Sequence, residues 1–313
     1  MRGRYSLKLP ILFLLFVVLS CGRNEEETAT KGHLHVLVAE SVAPAAVQEV
    51  NEFMSLYEKQ GADVTYAVVR SQLANAHFVN DSIRTIITTI PLTSDEKSRV
   101  SKTTDNLVEI VLAYDGVIAI VQDKNPRKQL ALEQIRGILV GKTTKWEQLG
   151  RPGIVHGRIH LILEDSSDVT MYLSRRLLDG GKIQSAYRWT RSPAQTLQEV
   201  SDDPLSLGFV GLNWADSTHG MLRILNLAAN SASSDTTFKP PPESIGNYYS
   251  PHPAHIYLNY YPMKRAIYVY SRTSPGDFAT GFTSFLASPA GQKIFLGEGL
   301  VPGTQKIVLK RPD

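Results

Sequence analysis

Serine residues occupy three points at which the sequence predicts an apolar strand leading into a helix. They are Ser41, Ser71 and the adjacent pair Ser166 and Ser167. A helix N-terminus offers unpaired backbone N–H groups, and serine hydroxyls add further donors, so three such ends meeting at one cleft would bind a small anion. Each serine is also what a simple helix N-cap requires. The sequence leaves both interpretations open until the relative position of the three loops is known.

Motifs of the common catalytic classes are missing from the sequence. There is no Gly-x-Ser-x-Gly, no His-Glu-x-x-His and no glycine-rich loop ending in Gly-Lys-Ser/Thr. Two pairs of close histidines, His33 with His35 and His252 with His255, lack a metal-ligand pattern around them, and we expect ordinary surface histidines. We therefore expect no metal, no cofactor and no enzymatic activity.

The single cysteine, Cys21, follows a short apolar segment that has basic residues before it. Residues 9–19 are too few to span a bilayer as a helix and are typical of a secretory signal. Preceded by a small serine, Cys21 resembles the acylated cysteine of a bacterial lipobox. This implies a signal peptide at 1–20, a lipidated tether at 21–32 and a lipid-anchored protein of the cell envelope that faces the periplasm. A plain secretory signal is the alternative, and the acidic run 25–27 resembles a surface-export signal.

The composition predicts a neutral body with two lobes. Removing residues 1–20 takes away three basic residues, so the formal net charge falls from +3 to zero. A neutral body gives no electrostatic reason to expect nucleic-acid binding, and any anion site must be local. The remaining length exceeds the usual size of one domain, and 42% hydrophobic residues are enough for two cores.

Alternating strands and helices predict an α/β fold. Apolar strands are predicted at 33–39, 63–69 and 85–89, and helices after Pro44, from Ser71 and, with a capping box, from Thr93. This order is typical of a sheet with parallel strands.

A change of lobe is predicted near residues 114–116. Two apolar strands, 107–113 and 117–121, flank this short polar segment. We expect lobe 1 to comprise 33–113 plus 265–313, and lobe 2 to comprise 114–264. The proline-rich stretch 228–263 is predicted to wrap irregularly near the return crossover.

One long segment carries a family resemblance. Residues 115–150, with Asp-Gly-Val-Ile-Ala-Ile-Val near the start and Gly-Lys-Thr-Thr-Lys-Trp-Glu-Gln-Leu near the end, look like the phosphate-binding proteins of ABC phosphate transporters. The same resemblance is supported by residues 88–93, 208–211, 282–285, 288–294 and 299–302. It implies a type II periplasmic-binding-protein-like fold, with two α/β lobes joined by two crossover strands that close like a hinge on phosphate or a related small oxyanion. It also implies an ABC permease as partner and a monomeric protein.

The resemblance assigns ligand-binding positions to the three loops and to the end of the third strand. These positions are Ser41, Val42, Arg70, Ser71, Thr88, Thr89, Ser166 and Ser167. Arg70 is included as the candidate counter-charge because it begins the second loop, and an ordinary exposed arginine is the alternative. Thr89, or Thr88 with a shift of one residue, stands where the family has the carboxylate that accepts the proton of phosphate.

The third loop departs from the family pattern. Leu163 replaces an arginine, Asp168 a glycine and Val169 a threonine. Since an unpaired Asp168 carboxylate would repel an anion, we keep a second hypothesis, in which an interaction or sensory lipoprotein retains the fold with a degenerate site.

Overall fold

The computed structural model describes residues 27–103, 106–150, 155–218, 220–229 and 238–306. Cys21, the signal peptide and the first half of the expected tether lie outside the described residues. No helix in the described part combines the length and hydropathy needed to cross a membrane.

Twelve strands are present among these residues. In chain order they are β1 (Gly32–Ala39), β2 (Ala62–Val69), β3 (Thr85–Thr88), β4 (Asn106–Gln122), β5 (Gln129–Ala131), β6 (His160–Glu164), β7 (Tyr187–Thr190), β8 (Ser206–Gly211), β9 (Leu222–Ile224), β10 (Asn226–Ala228), β11 (Lys264–Thr273) and β12 (Val301–Pro302).

The same residues form nine α-helices and several short 3-10 turns. The helices are α1 (Ala43–Tyr57), α2 (Ser71–Val79), α3 (Ser94–Val100), α4 (Leu132–Leu139), α5 (Asp168–Leu178), α6 (Pro193–Ser201), α7 (Pro253–Tyr257), α8 (Phe278–Ala287) and α9 (Pro289–Gly297). The predicted capping box is present at α3, where the Thr93 side chain accepts from the backbone N–H of Glu96.

The strands form a sheet with two halves that share β4. The strand order is β2-β1-β3-β11-β4-β8-β6-β7, with β12 and β9 also pairing with β4. In lobe 1, β1 runs parallel to β2 and β3, and β11 is antiparallel to β3 and β4. In lobe 2, β6 runs parallel to β7 and β8. The mixed α/β architecture is that of the expected type II binding-protein fold.

The crossover strand β4 is continuous, whereas two separate strands were predicted. Its residues up to Gly116 pair with β11, and those from Val117 pair with β8. Asp115, taken from sequence as part of a break, is fully buried and lies opposite Arg265 of β11, which donates to it at 2.6 and 2.9 Å. The sequence suggested a break because a polar residue between two apolar runs is typical of a turn. Its buried partner, Arg265, is 150 residues away and could not be recognised from sequence.

Separate hydrophobic cores support the two lobes. In β1, Val36 and Val38 face the α1, α8 and α9 side, whereas Leu37 faces the α2 side with Ile86 and Tyr270. Both faces of the lobe 1 sheet are thus covered, which explains its continuous apolar strands. The lobe 2 core is built around the second half of β4 with α4, α5 and α6.

Candidate functional site

The loops after β1, β2 and β3 lie together at one edge of the lobe 1 sheet. The register pairs Ala39 with Val69, and Val38 with Ile87, so the carboxyl ends of these parallel strands are neighbours. Parallel strands of an α/β sheet bring their following loops to the same edge, where ligands usually bind. Ser41, Ser71 and Thr89 all lie at this edge and are buried.

Donors from these three loops converge on one carboxylate, that of Asp168. Its Oδ2 accepts from Ser41 Oγ at 2.9 Å, from Ser71 Oγ at 2.6 Å and from Thr89 Oγ1 at 3.1 Å. Its Oδ1 accepts from the backbone N–H of Ser71 at 3.0 Å. We call Ser41, Ser71 and Thr89 the cradle. Because the donors come from lobe 1 and Asp168 from lobe 2, the contact holds the two lobes together.

Backbone contacts fix the cradle side chains in place. Ser71 Oγ accepts from the N–H of Thr89 at 3.1 Å while it donates to Asp168, so its hydroxyl hydrogen is committed to the carboxylate. The carbonyl of Ser41 accepts from Asn213 Nδ2 at 3.1 Å and from Arg265 Nη2 at 3.4 Å. The cradle is therefore a preorganised site for an anionic oxygen, in which hydroxyls and a backbone N–H, rather than a cationic side chain, donate to Asp168 among the described residues.

Asp168 is the first residue of α5 and is 3% exposed. From sequence we expected its carboxylate to be unpaired and repulsive. In the structure it is paired, with its carboxylate hydrogen-bonded to all three cradle residues. Its partners could not be recognised from local sequence, since Ser41 is 127 and Ser71 97 residues away.

Two of the predicted hydroxyl positions serve other purposes. Ser167 caps α5, its Oγ accepting from Thr170 N at 3.2 Å, as the simple capping interpretation requires. Thr88 Oγ accepts from the backbone N–H of Ile90 at 3.2 Å, so of the two threonines it is Thr89 that reaches the cradle.

The other predicted positions surround the cradle without reaching Asp168. Ser166 is exposed, has a positive φ of 52°, and hydrogen-bonds to Asp165. Val42 is buried in the lobe 1 core. Arg70 is the residue preceding α2 and lies close enough to Glu164 to favour its ionised form. Of the eight predicted positions, the structure brings Ser41, Ser71 and Thr89 to a common point.

The departures at Leu163 and Val169 do not line the cleft. Both side chains are buried within the hydrophobic core of lobe 2. Neither residue therefore contributes a charge or a hydroxyl to the cradle.

The carboxyl group of Glu164 lies near Asp168, and that of Glu40 lies beside Glu164. Glu164, at the end of β6, is 4% exposed, and its burial, together with the nearby Glu40 carboxyl, holds its pKa well above the usual range. A neutral Glu164 relieves the repulsion among three neighbouring acids. The region around the cradle is therefore acidic, with Arg70 as the opposing charge.

A cationic cleft adjoins the cradle and was missed from sequence. It has a volume of about 340 Å³, and its lining includes Thr89 from the cradle together with Arg175, Arg176, Lys264 and Arg265. These basic residues come from α5 and β11, which are distant in sequence, and only the folded chain brings them together. The available sequence signal was the adjacent pair Lys264 and Arg265, which flanks the predicted boundary between the lobes.

The chain matches the family model of the PBP superfamily domain over residues 23–290. It is similar to the phosphate-binding protein PstS of Borreliella burgdorferi, with 25% identity over 264 residues, which cover 80% of this chain and 85% of that protein.

Solved structures with the same fold include a protein from Clostridium perfringens with bound phosphate, at a TM-score of 0.67 and 18% identity, covering 87% of this chain and 99% of that one. An ABC-type phosphate transport receptor from Vibrio cholerae matches with a TM-score of 0.63 and 18% identity, covering 86% of this chain and 99% of that receptor. The family model matches most of the chain, and the two-lobed architecture agrees with it. The chain therefore belongs to the PBP superfamily, the family of periplasmic-binding-protein domains.

Proposed function

We propose that the protein is a solute-binding component of an ABC importer and captures phosphate, or a related small oxyanion, by hinge closure. The observation that carries this proposal is the convergence of three hydroxyls and one backbone N–H on a single carboxylate. A carboxylate resembles one edge of an oxyanion in charge and in the spacing of its oxygens, so donors that hold one can hold the other. The similarity to PstS supports phosphate as the first ligand to test.

Hinge motion gives the ligand access to the cradle. Asp168 belongs to lobe 2, so opening the lobes withdraws its carboxylate and leaves Ser41, Ser71 and Thr89 of lobe 1 to receive an anion. Closure then places Asp168 against the bound anion. A protonated oxygen of the ligand can donate to that carboxylate, whereas a fully ionised anion would be repelled, so the site favours a protonated oxyanion.

A second candidate function follows from the same contact. With Asp168 seated in the cradle, the closed form needs no ligand. A sensory or interaction protein that keeps the fold without transport would have such a filled site. The two candidates differ in whether any oxyanion displaces Asp168.

Titration calorimetry with phosphate, sulfate and molybdate distinguishes these candidates. We expect phosphate to bind, and Ser71→Ala to weaken binding, because the substitution removes the hydroxyl donor of Ser71 and leaves only its backbone N–H. Ser55→Ala is the matched control, since Ser55 is exposed and its hydroxyl bonds within α1. Absence of heat with all three anions would leave the non-transport candidate.

We also propose that Cys21 carries the lipid and anchors the protein in the cell envelope. The support is the signal-like segment before Cys21 and its lack of a second cysteine to pair with. Wild-type protein is expected in the membrane fraction and to partition into detergent, whereas Cys21→Ser should be released. Equal partitioning of both proteins would contradict lipid attachment.

A further inference from the structure

We propose that the cationic cleft beside the cradle is a second ligand site, which binds a small organic phosphate ester. The cleft is lined by Arg175 and Arg176 of α5, Lys264 and Arg265 of β11, and Thr89, together with apolar and aromatic side chains. This site adjoins the cradle and shares Thr89 with it, but the inference does not depend on the cradle binding inorganic phosphate.

The charge of the cleft calls for an anionic occupant. Four basic residues line the cleft, and no carboxylate is among the lining residues. Arg265 is neutralised by Asp115 at 2.6 Å, while Lys264 Nζ is held by the amide oxygen of Asn259 at 2.8 Å. The side chain of Arg175, which is exposed, makes no hydrogen bond or ion pair within the described part of the chain. At least two positive charges therefore face the cleft without a counter-charge.

Burial of Lys264 supports the same conclusion. It is 6% exposed, and removal from water lowers the pKa of its ammonium group to about 8. Its Nζ lies 4.0 Å from the ring centroid of Tyr114 and 5.0 Å from that of Phe238. These rings fix the ammonium group at the wall of the cleft. An anion bound there would restore the electrostatic stabilisation that the buried cation lacks.

The size and walls of the cleft favour an organic ligand over an inorganic ion. A volume of about 340 Å³ lies at the lower end of the range of pockets that hold small organic molecules. Pro91, Phe238, Ala266 and Tyr268 line it beside the basic residues. The basic groups suit a phosphate, and the rings suit an apolar or ring-shaped body attached to it.

The hydrogen bond from Thr89 to Asp168 allows the cleft and the cradle to bind ligands independently. Thr89 lines the cleft, but its hydroxyl is committed to Asp168 at 3.1 Å. An ester bound to the basic residues therefore need not displace Asp168. Binding to the cleft should depend on Arg175, and binding to the cradle should depend on Ser71.

Titration of the mature protein with phenyl phosphate tests the proposal, with phenol as the neutral analogue. We expect phenyl phosphate to bind and phenol not to bind. Arg175→Gln should weaken phenyl phosphate binding about tenfold, since one charged hydrogen bond is lost. Arg99→Gln, which changes an exposed arginine of α3 outside the cleft, should leave it unchanged. Because Arg175 is exposed, its loss should not unfold the protein, and equal melting temperatures would verify this.

A second variant separates this site from the cradle. Ser71→Ala should leave phenyl phosphate binding within about twofold of wild type. The proposal is overturned if phenol binds as tightly as phenyl phosphate, if Arg175→Gln has no effect, or if Ser71→Ala abolishes phenyl phosphate binding. The last result would mean that the ester enters the cradle. Weaker inorganic phosphate binding in Ser71→Ala, with phenyl phosphate binding retained, supports two sites.

Discussion

Replacing Asp168 with alanine should increase the affinity of the protein for phosphate. In the closed structure the Asp168 carboxylate accepts the four hydrogen bonds that a bound oxyanion would need. Any ligand must therefore compete with a group that is part of the chain. Alanine removes the competitor and leaves the donors of Ser41, Ser71 and Thr89 in place.

The size of the gain in phosphate affinity follows from two opposing energies of Asp168, that of its hydrogen bonds to the cradle and the cost of removing its carboxylate from water. Four charge-assisted hydrogen bonds at about 1.5 kcal/mol each contribute about 6 kcal/mol. Taking the Asp168 carboxylate out of water costs about 4 kcal/mol of that gain. The remaining ~2 kcal/mol corresponds to an increase of about 30-fold in phosphate affinity when Asp168 is removed.

Calorimetric titration of phosphate into wild type, Asp168→Ala and Asp165→Ala measures this change. Asp165 is the matched control because it is exposed on the same loop, so its removal takes away one negative charge without emptying the cradle. Small-angle scattering of the ligand-free proteins gives an independent readout, since Asp168→Ala should be more open than wild type.

An unchanged or lower phosphate affinity in Asp168→Ala would refute the competition argument. A lower affinity would mean that the hydrogen bond which Asp168 accepts from a protonated ligand outweighs its competition for the cradle. An equal gain in Asp165→Ala would attribute the effect to overall charge rather than to the vacated cradle.

Three further variants test the hinge and the core. Asp115→Asn should destabilise the protein by about 3–5 kcal/mol in urea unfolding, because it leaves the Arg265 guanidinium buried without its counter-charge. Gly211→Ala should cost about 1–3 kcal/mol and disturb the cradle loop, since a Cβ there would lie 2.6 Å from the carbonyl oxygen of Ser41. Burial raises the pKa of Glu49 to about 9 from 4.5. The folded state therefore binds the extra proton between these values, and stability should fall by about 1.4 kcal/mol per pH unit from pH 6 to 8, a slope that Glu49→Gln should remove.

Each of these variants has a control elsewhere on the chain. Glu199→Gln breaks a surface pair with Arg188 and should cost less than about 1 kcal/mol. Gly297→Ala adds a Cβ where no atom lies within 4 Å. Glu52→Gln changes an exposed neighbour of Glu49. Equal losses in a variant and its control would contradict the corresponding argument.

The local structure was largely predictable from sequence. The strands at the start of lobe 1 follow from continuous apolar runs, and the caps at Thr93, Ser192 and Ser288 follow from short polar patterns. Loops after parallel strands share one edge of a sheet, so Ser41 and Ser71 could be placed near each other from sequence. These features depend on residues close together in the chain.

Tertiary structure alone decided what the loops bind to. Ser41 and Asp168 are 127 residues apart, and Asp115 and Arg265 are 150 apart, so no local pattern records either contact. The same limit made Ser167 indistinguishable from an anion donor until its hydroxyl was seen to cap α5. Sequence determined which groups could donate to an anion, because that depends on residue type and local backbone. Only the packing of one lobe against the other determined that the anion held there is the carboxylate of Asp168.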